Sequence, residues 1–256
     1  EFTYQAEGIT LTGYGAVPEG VQNPPVVVMV HGMVPPGRYG LNDMRREAEY
    51  LAARGIAALV PDMRGYRKTP AEANAELNRL AGIRDVANLI QAIRINPGVG
   101  LDGTRVGVYG FGHGGAVALK VSFLVPVAGT FVVSTTGLQE ALDQDLFKKT
   151  MAPAVATAME QLYGPPSAET ASWYKAMTIS NFLDRFQAPI GFAGGQLDPI
   201  VPKDWPGAFM QILAKTTLQS QMAMSPYAGH TYHGQDWLGL MQTAYDFFRQ
   251  RFNMPA

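Results

Sequence analysis

The chain has 256 residues, a formal net charge of −1 and no cysteine. Only 16% of its residues are charged, against roughly 25% in an average soluble protein, while 47% are hydrophobic. That balance allows a substantial core in a single domain over residues 1–256. With Lys and Arg scattered, it argues against nucleic acid or an anionic membrane surface as a partner. Disulfides, thiolate metal sites and a thiol nucleophile are excluded for this chain. The longest apolar stretch, Ala116–Val133, contains Lys120 and Pro126 and divides into a helix and a strand, so no transmembrane segment is expected. The chain opens on Glu1-Phe2 rather than Met, as a processed or trimmed chain does, and a leader removed earlier stays possible.

In chain order, Phe2–Tyr14 alternates as an opening hairpin, with turn residues near Gly8 and Gly13. Val26–Val30 is a continuous β-branched run, the pattern of a strand buried on both faces, and it ends in His31-Gly32-Met33. Asn42–Arg54 reads as a helix stopped by Gly55. Ile56–Val60 is a second buried strand, followed by Pro61–Tyr66. Leu80, Ile83, Val86, Leu89, Ile90 and Ile93 recur at helical spacing and predict a helix over Leu80–Ile95. Arg105–Tyr109 and Val127–Val133 read as strands with helix Ala116–Val121 between them. Leu138–Tyr163 and Ala168–Phe186 are predicted helical, then Pro189–Phe192 a strand, Trp205–Ala214 a helix, Gln219–Met224 a strand and Gln235–Phe252 a closing helix. Strands alternating with helices predict an α/β fold: a mostly parallel central sheet with helices on both faces.

The densest signal is Val106–Gly115, V-G-V-Y-G-F-G-H-G-G, a short strand running into a glycine-rich turn and a helix. That is the context of a nucleophile elbow, G-x-S-x-G, with Gly110 and Gly114 in the flanking positions. Its central position is Gly112, which carries no side chain that could attack a substrate. Gly110, Gly112 and Gly115 also satisfy G-x-G-x-x-G, the phosphate-cradling loop of dinucleotide folds. Such a loop normally follows the first strand of its domain, whereas this one lies past residue 100.

Four further segments fall in a telling order: V-V-V-M-V-H-G (Val26–Gly32), P-D-M-R-G-Y (Pro61–Tyr66), G-G-Q-L-D-P-I-V-P (Gly194–Pro202) and Y-A-G-H (Tyr227–His230). Together with G-F-G-H-G-G they make the chain resemble the α/β-hydrolase superfamily over nearly its whole length. Within it, the segments are most similar to dienelactone-hydrolase-like and prolyl-oligopeptidase-like esterases. The resemblance implies the α/β-hydrolase fold and removes most of the case for a dinucleotide site. It implies Asp198 as the acid, His230 as the general base and Gly112 in the nucleophile position, with the amides of Met33 and His113 as the oxyanion hole. His233 is the runner-up base, and His31 is expected to be structural. Asp62 is expected to fix its loop by pairing with Arg64 or a backbone amide.

An acyl-transfer triad needs a nucleophile, a histidine that takes its proton, and a carboxylate that holds the histidine tautomer. The resemblance further implies a lid insertion over 136–184, where Met151, Met159, Leu162, Trp173, Tyr174 and Met177 would favour hydrophobic acyl or aryl groups; the alternative is that these side chains pack on the core. Trp173, Tyr174 and Met177 are the expected substrate-pocket residues. The partner is expected to be a small ester-like molecule rather than a peptide, since no propeller-type segment is visible. No metal or organic cofactor is expected, because the four histidines are dispersed and lack ligand spacing. Gly112 admits three readings. The chain is a disarmed hydrolase, a natural ligand-binding relative, or a catalyst in which Ser134, Thr135 or a water activated by His230 attacks instead.

Overall fold

A computed structural model describes residues 1–96, 100–151, 153–216 and 218–255, without the side chains at 140, 142, 146, 150, 151 and 212. Met151 of the expected lid therefore has its side chain outside the description. Among the described residues the apolar runs assemble into one eight-stranded sheet. Its strands are β1 (Phe2–Ala6), β2 (Ile9–Ala16), β3 (Pro25–Val30), β4 (Ala57–Pro61), β5 (Asp102–Phe111), β6 (Thr130–Val133), β7 (Ile190–Gly195) and β8 (Ser220–Ser225). They lie in the order β1-β2-β4-β3-β5-β6-β7-β8. The opening hairpin pairs antiparallel, as does β2 with β4, and every other pair is parallel.

The helices are α1 (Arg45–Ala52), α2 (Ala75–Ile95), α3 (His113–Leu124), α4 (Glu140–Leu146), α5 (Pro153–Tyr163), α6 (Ala171–Met177), α7 (Trp205–Leu213) and α8 (Gly234–Arg251). No helix among the described residues is long and apolar enough to cross a membrane. The side-chain period of two along a strand splits the core in two. Val26, Val28 and Val30 of β3 pack with Val86, Leu89 and Ile93 of α2 and with Val117 and Val121 of α3. Val27 and Met29 face the other way, onto Leu51 of α1 and Phe247 and Phe248 of α8. A strand buried on both faces has no room for polar residues, which is why β3 reads as an unbroken apolar run.

Three helical segments differ from the sequence reading. Ala168–Phe186 is α6 followed by two short 3₁₀ turns, Ile179–Asn181 and Leu183–Arg185, and two others differ for local reasons. Helix α2 starts at Ala75 rather than Leu80, capped by Asn74 Oδ1 accepting from Leu77 N at 2.8 Å. Its first turn carries the buried ion pair of Arg79 Nε with Glu76 Oε2, 2.6 Å apart, which an apolar period cannot register. The segment expected as one helix, Leu138–Tyr163, is instead α4, a π-helical turn over Phe147–Met151, and α5. Proline lacks the N–H that an unbroken helix would need, and it opens α5 at Pro153.

Asp62 does not pair with Arg64. It accepts from Thr12 Oγ1 at 2.5 Å and from Arg67 Nη1 at 2.8 Å. Arg64 instead meets Asp85 of α2, with Nε 2.8 Å and the backbone N 2.9 Å from its two oxygens. Glu72 and Glu7 close on the remaining guanidinium nitrogens. The side chain of Asp85 is fully buried and that of Arg64 is 7% exposed. Asp85→Ala should therefore cost on the order of 3 kcal/mol in urea unfolding, because it strands a buried guanidinium and an amide. A loss below about 1 kcal/mol would assign the clamp on Arg64 to the two glutamates alone.

Candidate active site

The site forms where the parallel strands end. Strand β5 stops at Phe111, and α3 begins at His113, so Gly112 alone makes the turn, at φ 54° and ψ −121°. The neighbouring glycines are imposed by crowding. A Cβ on Gly110 would strike the Gly114 carbonyl and lie 2.6 Å from Gly115 Cα. One on Gly114 would strike the carbonyls of Val30 and His31, and one on Gly115 the Thr135 hydroxyl. Gly112 is different. A Cβ there would meet His230 Nε2 first, at 3.4 Å, and Gly32 Cα at 3.9 Å, which is ordinary contact. The backbone around it is pinned on both sides. Gly112 N donates to Val133 O at 2.9 Å, and its carbonyl accepts from Gly115 N at 3.0 Å and Thr135 Oγ1 at 3.1 Å.

His230 and Asp198 reach this point on adjoining loops. Leu197 N donates to Ala228 O at 3.0 Å, and Gln196 N to Ser225 O at 2.9 Å, so the loops after β7 and β8 are stitched together. His230 Nδ1 lies 3.0 Å from Asp198 Oδ2. The other carboxylate oxygen accepts from the amides of Ile200 at 2.8 Å and Val201 at 3.0 Å. Burial raises the Asp198 pKa, but the hydrogen bonds from His230, Ile200 and Val201 outweigh it and hold the carboxyl below its ordinary value. The imidazole rests on the Phe111 ring, with centroids 5.2 Å apart. The structure thus brings Gly112, Asp198 and His230 together, with Nε2 turned to the space beside Gly112.

The other histidines go elsewhere. His31 is buried between Tyr39 and Tyr66, with ring centroids 4.1 and 4.5 Å away. Its Nδ1 is 2.8 Å from the Gly32 carbonyl, and burial lowers its pKa to about 4. His233 is exposed at the start of α8, with Nε2 3.1 Å from Thr231 Oγ1. His113 packs edge-on against Phe147. Thr135 is engaged in holding the elbow carbonyl, while Ser134 is buried at φ 46° with no partner for its hydroxyl among the described residues.

Two cavities flank the Gly112 turn. One, of about 320 Å³, is walled by Met33, the Val34–Pro36 loop, Met63–Tyr66, α2 and Pro153–Val155, and it includes His113. The second, of about 420 Å³, includes Phe111 and His230 and is walled by Met33, Asp43–Glu47, Tyr232 and Trp237. Both volumes suit small-molecule sites. Trp173, Tyr174 and Met177 line neither cavity. Trp173 stacks on Tyr163 at 3.5 Å between centroids, and Tyr174 is buried with its hydroxyl donating to Gly164 O at 2.8 Å. Among the described residues no group of three or more His, Asp or Glu is placed to hold a metal ion.

A sequence model of the alpha/beta hydrolase family matches residues 27–249. The chain belongs to the alpha/beta hydrolase family. Among solved structures it is similar to the Pyrococcus horikoshii acylaminoacyl peptidase, with TM-score 0.79, 17% identity and coverage of 100% of this chain and 42% of that one. It is also similar to a Mycobacterium tuberculosis puromycin-hydrolyzing peptidase, at 0.80 and 18%, covering 99% and 39%. DcsB in complex with its substrate analogue matches at 0.73 and 13%, over 98% of this chain and 97% of that one. At these identities the likeness is one of fold. The chain spans about two fifths of the length of the two peptidases. No curated protein sequence matches it.

Within this hydrolase fold, the cavity walls are what the sequence did not disclose. Asn78 and Arg79 lie at the start of α2, before the Leu80 at which its apolar period begins, and Asp43–Glu47 span the entry to α1. Neither segment carries a motif; only the tertiary fold brings them to the two cavities. The Asp198 carboxyl binds its proton less readily than in an unfolded chain. Its ionised form therefore stabilises the fold above the ordinary carboxylate pKa, and that contribution is lost as pH falls toward the lower folded value. Asp198→Asn should then flatten the acid limb of a stability–pH profile from about pH 5 downward. Parallel profiles for parent and variant would refute this.

Proposed function

We propose that this chain carries the machinery of a serine-hydrolase-type acyl hydrolase acting on carboxylic esters, with Gly112 in place of its nucleophile. As it stands the chain is inactive or nearly so. The observation that carries this reading is the 3.4 Å between an added Gly112 Cβ and His230 Nε2, on an imidazole whose other nitrogen is 3.0 Å from Asp198. A serine hydroxyl on that Cβ would fall within hydrogen-bond reach of Nε2, the relation that general-base activation requires. In this reading His230 takes the proton and Asp198 holds the imidazole and stabilises its charged form. The amides of Met33 and His113 receive the charge that develops on the carbonyl oxygen. The order of the motifs supports an esterase of the dienelactone-hydrolase-like or prolyl-oligopeptidase-like kind.

A second reading is favoured by the same turn. At φ 54° a side chain is strained by about 1–3 kcal/mol, so glycine is the relaxed choice and both flanking cavities persist without a nucleophile. The chain would then be a ligand-binding module that holds an intact ester. Gly112→Ser separates the two. We expect aryl-ester hydrolysis to rise at least about 10³-fold over the parent, with a stability loss of about 1–3 kcal/mol. His230→Ala in that background should return the activity to the parent level. A folded Gly112→Ser variant that is silent on short- and medium-chain aryl esters would leave the binding reading in possession.

We further propose that 136–184 acts as a lid over the domain. The support is its place directly after β6, where α4 to α6 form a small apolar cluster of their own around Phe147, Val155, Met159 and Tyr174, with Met33 packed against it. Trp173→Ala removes the stacking partner of Tyr163 and loosens that cluster. In the Gly112→Ser background it should raise KM for medium-chain esters about 3- to 10-fold with little change in kcat. Unchanged kinetics across an ester panel would remove the lid.

A further inference from the structure

The two cavities beside Gly112 are unlike in the groups they offer, and His230 opens onto only one of them. This difference has chemical direction. In acyl transfer the serine hydroxyl oxygen of Gly112→Ser would attack the carbonyl carbon, its proton passing to His230 Nε2 and the carbonyl π pair to oxygen. Collapse of that intermediate re-forms the carbonyl and expels the alkoxide, which takes the proton back from Nε2. The leaving oxygen must therefore lie next to His230, and the chain beyond it must run into the cavity that contains His230. The acyl chain takes the other cavity, the one walled by His113.

The cavity on the His113 side presents mainly Met33, Val34, Pro35, Met63 and Val155. Its two guanidinium groups are already bound, Arg64 by Asp85 and Arg79 by Glu76, and both side chains are nearly buried. It offers an apolar chain good contact and a carboxylate no spare cation. The cavity on the His230 side carries unused hydrogen-bonding capacity. The Tyr232 hydroxyl and His31 Nε2, on residues of its wall, have no partner among the described residues. Neither atom has accessible surface in the cavity as it stands, so an occupant reaches them through a shift of the side chains that cover them. Because His31 Nδ1 faces the Gly32 carbonyl, Nδ1 bears the proton and Nε2 can only accept. The carboxylates of Asp43 and Glu47 lie in the same wall. Each spends one oxygen within the protein, Asp43 Oδ2 on Gly40 N at 2.7 Å and Glu47 Oε1 on Trp237 Nε1 at 2.6 Å, which leaves the second oxygen of each as an acceptor. The one guanidinium of the wall, Arg46, lies 3.6 Å from Glu47 Oε1 and 3.8 Å from the Trp237 ring centroid. This wall is rich in acceptors. A buried acceptor left unpaired costs about 1–3 kcal/mol, so an occupant bearing O–H or N–H groups is favoured over a purely apolar one.

We propose that the site takes a two-armed ester: an apolar, medium-chain acyl group on the His113 side, and on the His230 side an alcohol that carries further hydrogen-bond donors. The assignment of the arms rests on the hydrolase reading above, and its test can fail separately. Glyceryl octanoate and octyl glycerate have the same two arms joined through the ester in opposite directions. In Gly112→Ser, kcat/KM should favour glyceryl octanoate by at least about 10-fold. It should also exceed that for propyl octanoate, and Tyr232→Phe should narrow that second ratio. Ala154→Trp, which fills the apolar cavity, should lower the octanoyl-to-acetyl ratio of kcat/KM at least about 10-fold.

Equal or reversed rates for the two isomers, with aryl esters still hydrolysed, would overturn the arm assignment and leave the esterase reading intact. If Gly112→Ser is folded yet silent on every ester, the esterase reading fails, and binding to the chain as it stands decides the two-armed site. Glyceryl octanoate, followed by calorimetry, should then bind at least about 10-fold more weakly to both Ala154→Trp and Leu240→Trp. No binding, or binding indifferent to either filling, would overturn the proposal.

Discussion

The site depends on crowding at one turn. Three parallel strands, β3, β5 and β6, end side by side, and α3 leaves the end of β5 so closely that Gly110, Gly114 and Gly115 have no room for a Cβ. Backbone packed against backbone leaves the chain one way through, with Gly112 at positive φ and its Cα turned out of the sheet toward His230. Glycine at the crowded positions is a steric necessity. At Gly112 it is only a conformational convenience, since the space beside it would accept a side chain. That contrast separates the scaffold of the turn from its chemistry.

The His230–Asp198 pair follows from the same architecture. Parallel strands deliver their loops to one edge of the sheet, so the loops after β7 and β8 lie side by side and share backbone hydrogen bonds. Asp198 spends one oxygen on two backbone amides and the other on His230, which orients the imidazole before any ligand arrives. So held, the imidazole keeps Nε2 facing the space beside Gly112. The two cavities meeting at Met33, one containing His113 and the other His230, give a ligand two directions in which to extend from that atom.

Much of the fold was legible because the sheet is buried on both faces. Such strands must be continuously apolar, and the amphipathic helices that cover them must repeat at helical spacing. Val26–Val30 and the closing helix α8 therefore stood out without help from structure. The reading failed where polar groups did the local work or a helix changed its winding. The first turn of α2 is held by Asn74 and a buried Glu76–Arg79 pair, and the segment read as one helix passes through a π-helical turn over Phe147–Met151. Asp62 and Arg64, two residues apart, find different partners because a loop can point neighbouring side chains in opposite directions.

The order of the motifs and the glycine-bound elbow with its missing side chain were legible in the sequence alone, and the resemblance those motifs carry pointed to Asp198 and His230. The elbow is a local pattern, set by what a short turn between a strand and a helix sterically requires. Which residues surround that point was decided only in three dimensions. Pro153–Val155 and Asp43–Glu47 come from segments far apart in the chain, with no shared period, and they wall the cavities that contain His113 and His230 because the sheet collects its loops at one edge. Trp173 and Tyr174 look like pocket residues by composition, yet tertiary packing sets them against Tyr163 and Gly164. Composition tells which side chains seek burial; the topology of the sheet decides what they are buried against.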